Sequence, residues 1–278
     1  MILKRREALQ GALAGLFLPV AGHAAAAEST PSSSTPTTGA AIDIGERFRS
    51  REIAATFALY ATHDDTLLVH DFKRAEQAFL PCSTFKIPSS LIAIETGITK
   101  DPDEVWKYDG AKTGPQTTWH DQSLRTGIQE SAVWMYQEIA RRVGEKRMQE
   151  WIDRLGYGNR DIGGGLDQFW LTGNLRITAR QQIELLHRLY KEDLPFSPRT
   201  IAIVKDILIH EKTAAYVLRG KTGLGGEPWR GWFVGWLERS ERAWIFAMNL
   251  DWKEGMRFPL RKELTLEILR GLGLMEAT

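Results

Sequence analysis

The chain has one cysteine, Cys82, in 278 residues. A single thiol excludes an intrachain disulfide and the paired Cys-x-x-Cys or Cys/His patterns of zinc sites. The six histidines (His23, His63, His70, His120, His187 and His210) form no His-x-His or His-x-x-x-His pair, so no metal is expected. Neither sign of charge dominates, with 36 Lys and Arg against 35 Asp and Glu. Dense basic runs are missing, and nucleic acid is not an expected partner. The apolar run from Ala8 to Val20 is too short to span a bilayer. What the chain does have is tryptophan, ten in all, and most of these are expected to fill core.

The N-terminus carries Lys4, Arg5 and Arg6, then that apolar run, then the small residues Ala24 to Ala27. This order predicts a cleaved export signal over residues 1–27 and a periplasmic protein with no membrane contact after cleavage. The general export route is expected, although Arg5-Arg6 also permits the twin-arginine route. Residues 28–41 are rich in Ser, Thr and Pro and are read as a flexible lead-in. One folded domain is expected over 42–278, a length that supports a large core.

Within it, strands are predicted over Thr56–Ala61 and Thr66–Val69, a hairpin around His63-Asp64-Asp65. Helical spacing covers Phe85–Thr96, ending at Gly97, and Gly127–Leu155, with breaks near Gly144 and Gly156. Thr178 is a candidate N-cap for a helix through Tyr190, and Thr200–His210 suggests another. Ala215–Arg219, Gly231–Glu238 and Arg242–Asp251 read as three strands, and Leu260–Leu272 as a closing helix. The predicted fold class is α/β in the α+β sense. An antiparallel sheet comes from both chain ends, flanked by helices, with a helical lobe inserted between them.

Three short motifs carry candidate chemistry. In Ser83-Thr84-Phe85-Lys86, a lysine one helical turn after a serine lies on the same face and, if neutral, can activate the hydroxyl. The positive end of the helix dipole disfavours the ammonium form there. Alone, this pattern is more often a solvated helix start. Lys221-Thr222-Gly223 sits at a predicted strand end. A cation and a hydroxyl on an edge strand can pair with an amide-like substrate and hold its carboxylate, and the glycine admits the ligand to the backbone. Ser131-Ala132-Val133 offers a second serine that can relay a proton, though by itself it reads as an ordinary helical serine.

Together, in this order, the motifs resemble those of the penicillin-recognising serine enzymes. Val133 in the middle motif, Tyr157-Gly158-Asn159 and Phe169-Trp170-Leu171 resemble class D β-lactamases in particular. So do Ser83 to Pro88, Gly231 to Trp236, and Pro259-Leu260-Arg261-Lys262. The resemblance covers roughly Thr56 to Leu272. It implies the serine β-lactamase and penicillin-binding transpeptidase fold and hydrolysis of penicillin-type β-lactams through an acyl-enzyme on Ser83, conferring resistance. It implies CO2 carried on Lys86 as a carbamate (N6-carboxylysine), with no other cofactor. Trp170 would donate to the carbamate, and Val133, Leu171 and Phe85 would wall it. Backbone N–H groups of Ser83 and Leu224 would form the oxyanion hole. Lys221 would be catalytic with Ser83, Lys86 and Ser131 and would help hold the substrate carboxylate; Thr222, Gly223, Leu224 and Arg261 would bind substrate, and Ser131 would pass a proton to the departing nitrogen.

Cys82 departs from the family pattern, which usually has alanine there, but Lys86 is spaced for Ser83. The short connection from Gly223 to Gly231, with Pro228 and Trp229, borders the cleft and leaves the substrate profile open. Monomer and homodimer are equally compatible with the sequence. The nearest alternative is a non-hydrolysing penicillin-binding or β-lactam-sensing protein on the same fold. An exported carbohydrate- or peptide-binding module would leave the three motifs unexplained.

Overall fold

The computed structural model describes residues 2–4 and 42–276. Except for Ile2–Lys4, the expected export signal and lead-in lie outside the described residues. The elements in chain order are β1 (Ile2–Lys4), α1 (Ile44–Arg49), β2 (Ala55–Ala61), β3 (Thr66–His70), α2 (Phe72–Ala75) and α3 (Lys86–Glu95). Next come α4 (Leu124–Glu130), α5 (Val133–Val143), α6 (Glu145–Leu155), α7 (Ala179–Tyr190) and α8 (Pro198–Ile207). The chain ends with β4 (Ile209–Lys212), β5 (Val217–Gly225), β6 (Arg230–Arg239), β7 (Arg242–Asp251) and α9 (Leu260–Gly271).

All strand pairs are antiparallel, in the order β1-β3-β2-β7-β6-β5-β4. β2 pairs with β7 from the other end of the chain, Ala58 opposite Ala247. The sheet is therefore closed by the two chain ends, with α3 to α8 between them in sequence. Because side chains alternate across a strand, the sheet has two apolar faces. Ala58, Tyr60, Trp232, Val234 and Trp236 face the helical lobe. Phe57, Leu59, Phe233, Phe246 and Met248 face the layer of α1 and α9. Both faces are covered, which explains why every residue of β2 is buried.

Two helical readings are corrected. The helical stretch from Gly127 breaks at Ser131, which adopts a left-handed conformation (φ 67°) and caps α4 before α5 begins. Ser131 is therefore not a helical serine. The helix read over Thr200–His210 starts earlier and stops at Ile207. Ser197 caps it, with Pro198 at its first position, and the chain turns into β4 at Ile209. The strand read over Ala215–Arg219 runs on to Gly225 and so contains Lys221-Thr222-Gly223. No described helix is long and apolar enough to cross a membrane.

Candidate active site

Ser83 lies in a single 3-10 turn, Cys82–Phe85, that runs directly into α3. Three contacts fix the turn. The Cys82 N–H donates to the Trp170 carbonyl at 3.0 Å. Thr84 Oγ1 donates to the Pro81 carbonyl at 2.7 Å and accepts from Gln182 Nε2 at 2.9 Å. At the third position after Ser83, Lys86 opens α3, and its Nζ lies 3.1 Å from Ser83 Oγ. Lys86 is completely buried, and its Nζ sits 4.9 Å from the centre of the Tyr136 ring. Desolvation lowers its pKa from the ordinary 10.5 to about 7. A large share of Lys86 is thus neutral near neutral pH, the state a base or a carbamate-forming amine needs.

Lys221 projects from β5 onto the same side. Its Nζ donates to Ser131 Oγ at 2.7 Å and to the Thr222 carbonyl at 3.0 Å. The left-handed turn at Ser131 is what presents its hydroxyl to the strand. Burial drives the Lys221 pKa well below the usual lysine range, and the positive charges of Lys86 and Arg261 add to this. β5 reaches the nucleophile closely because Gly223 has no side chain. A Cβ there would meet the Pro81 carbonyl oxygen at 3.0 Å and Thr84 Cγ2 at 3.2 Å.

β5 is not the outermost strand, since β4 flanks it. However, β4 pairs only with Val217, Leu218 and Arg219, and past them the Gly220 N–H donates to Leu208 at 3.0 Å. By strand alternation, the N–H groups of Thr222 and Leu224 point the same way, beyond the end of β4 and into the cleft. The Leu224 N–H is thus available as an oxyanion donor, and the Ser83 N–H, in the first turn of its short helix, is the second.

The remaining candidates gather around these. Trp170 is buried, stacks on Phe85 at 5.4 Å and 26°, and its Nε1 has no hydrogen-bond partner among the described residues. Val133 opens α5 and Leu171 follows Trp170. Both are only half-buried, whereas Phe85 is fully enclosed. Arg261, near the start of α9, is buried, with Cδ 3.4 Å from where a Cβ on Gly231 would lie. Gly231 pairs with Leu224, so the Arg261 stem packs against β6 one strand from the oxyanion donor.

Comparison with known proteins agrees with this geometry. The family model for the penicillin-binding protein transpeptidase domain matches residues 54–270. The chain is 45% identical to the β-lactamase OXA-48 of Klebsiella pneumoniae over 204 residues, covering 72% of this chain and 77% of that protein. It is 38% identical to OXA-10 of Pseudomonas aeruginosa over 235 residues, 83% of this chain and 88% of that one. Among solved structures, the class D β-lactamase YbXI from Nostoc aligns with a TM-score of 0.81 at 41% identity, over 84% of this chain and all of that one. The chain belongs to the class D serine β-lactamases.

In this β-lactamase, the Tyr157-Gly158-Asn159 motif staples the loop that carries Trp170. Asn159 Oδ1 accepts the Arg176 N–H at 2.9 Å, and its Nδ2 donates to the Asn174 carbonyl at 2.9 Å. Gly158 has φ 55°, and a Cβ there would stand 2.0 Å from the Arg176 carbonyl oxygen. Cys82 is buried, and desolvation raises its pKa to about 12, so it is not the nucleophile. Tyr136, against Lys86, was not among the candidates read from sequence. Its place on the buried face of α5 marks it only as core, and no motif signals its contact with the lysine.

Proposed function

We propose that this class D β-lactamase opens β-lactam rings through an ester on Ser83, with Lys86 carrying CO2 as an N-carbamate. The observation that carries the second part is the unpartnered Nε1 of buried Trp170. A buried N–H without an acceptor costs about 1–3 kcal/mol, so its retention needs an explanation. The loop holding this indole is hydrogen-bonded to the nucleophile turn. The neutral Lys86 amine adds to CO2 and releases a proton, and the Trp170 N–H is a donor suited to the resulting anion. When present, that group supplies the general base for both acylation and deacylation.

The residues of the chain do the rest. Ser83 Oγ bonds to the lactam carbonyl carbon as its proton passes toward the Lys86 side chain. The Ser83 and Leu224 N–H groups hold the oxyanion. As the C–N bond breaks, Ser131 protonates the departing nitrogen, and Lys221, 2.7 Å away, is placed to replace that proton. Lys221, Thr222 and Arg261 hold the substrate carboxylate. Water then cleaves the Ser83 ester and releases the ring-opened acid. Residues 1–27, edge strand β1 included, act as an export signal whose removal leaves β2 to β7 as the sheet of a periplasmic enzyme, and resistance to β-lactams follows from that location.

The test is 13C NMR of the enzyme in 13C-bicarbonate. A carbamate resonance that is absent in Lys86→Ala supports the reading, and its absence from the parent enzyme refutes it.

A further inference from the structure

We propose that Trp252 is a positioning residue that holds Arg261 in the plane needed to grip the substrate carboxylate. This rests on the assignment of Arg261 to that carboxylate. Arg261 is only 8% exposed and has no ion-pair partner among the described residues. Its Nη1 donates to the Phe258 carbonyl, and its Nε has no acceptor. Burial lowers its pKa to about 10. A buried guanidinium with no anion beside it is costly unless another group stabilises it and a ligand completes it.

The stabilising group is the indole of Trp252. Arg261 Cζ lies 5.3 Å from the centre of that ring, within cation–π range. Trp252 is itself fixed. Its backbone N–H donates to the Trp229 carbonyl at 3.0 Å, which fixes the main chain under the ring. Its Cε3 lies 3.2 Å from where a Cβ on Gly231 would stand, so the ring occupies space that only glycine leaves open. The Phe258 ring, 6.0 Å away and 68% exposed, flanks it. With Nη1 tied to Phe258 and Nε buried, Nη2 is the arm of the fork left to donate to the carboxylate. The aromatic face restrains the fork, which an aliphatic side chain of similar volume would leave free to rotate.

The experiment compares a penicillin with its methyl ester, reading the rate of Ser83 acylation at varied substrate concentration. Trp252→Leu should lower the apparent second-order rate for the acid about tenfold, chiefly by weaker binding, and leave the ester within about twofold. Trp252→Phe should recover most of the loss. An equal fall for acid and ester, no loss for the acid, or no recovery with phenylalanine overturns the positioning role. Arg261→Ala separates the layers. If it slows acid and ester alike, the assignment of Arg261 to the carboxylate is wrong. If it slows only the acid while Trp252→Leu does nothing, the positioning role alone is wrong.

Discussion

The Trp170 carbonyl accepts the Cys82 N–H at 3.0 Å, so the loop that carries the unpartnered indole is bonded to the turn that carries Ser83. One contact thus sets the distance between a donor and the nucleophile. Trp170→Phe keeps most of the apolar volume and the stacking on Phe85 while removing the N–H. We expect deacylation to slow more than acylation, so that acyl-enzyme builds up, and added bicarbonate to restore part of the rate. Rapid-quench mass spectrometry of the Ser83 adduct checks this.

Burial of Lys86 ties stability and activity to pH. In the unfolded chain this lysine stays protonated up to about its ordinary 10.5, whereas in the fold it releases its proton at about 7. Between those values the unfolded chain binds more protons, so this residue makes stability rise with pH across that window. Below about 7 it is charged in both states and its burial penalty is complete. Activity needs the neutral amine. We therefore expect acylation of Ser83 to fall as pH drops through about 7, and Lys86→Ala to lose both acylation and turnover. A pH profile of benzylpenicillin hydrolysis measures the acidic limb.

Gly158→Ala tests the staple under the Trp170 loop. The new Cβ would stand 2.0 Å from the Arg176 carbonyl oxygen at a positive φ. We expect a loss of about 2 kcal/mol or more in urea unfolding, since a non-glycine residue there adds strain to the clash. Activity at low temperature should fall with it, because the indole no longer sits against the nucleophile turn.

Cys82→Ala removes a buried thiol whose pKa is held near 12. We expect turnover within a few-fold of the parent enzyme and a modest stability loss of about 1 kcal/mol for the lost packing. The folded parent should resist alkylation by iodoacetamide, which needs thiolate.

Much of this was legible in the sequence because the relevant patterns are local. The β2–β3 hairpin, α7 with its Thr178 cap, and α9 follow from alternation, capping and helical spacing, and the fold places each within a few residues of its predicted span. The Ser83–Lys86 contact follows from a spacing of three at a helix start. Ser131 did not follow, because its left-handed turn lacks the glycine or asparagine that usually marks one. The first half of β4, Ile209 and His210, reads as the end of a helix because four residues of mixed polarity carry no clear period. The Arg261–Trp252 contact depends on Gly231 of β6 leaving room for both side chains, a relationship that no local period signals.

Steady-state hydrolysis of benzylpenicillin by the purified chain, with and without bicarbonate, tests the central claim most directly. The account predicts many turnovers per enzyme and a rate that rises with bicarbonate. A single stoichiometric burst, with Ser83 acylated and no further turnover under either condition, would contradict it and mark a penicillin-binding protein on the same fold.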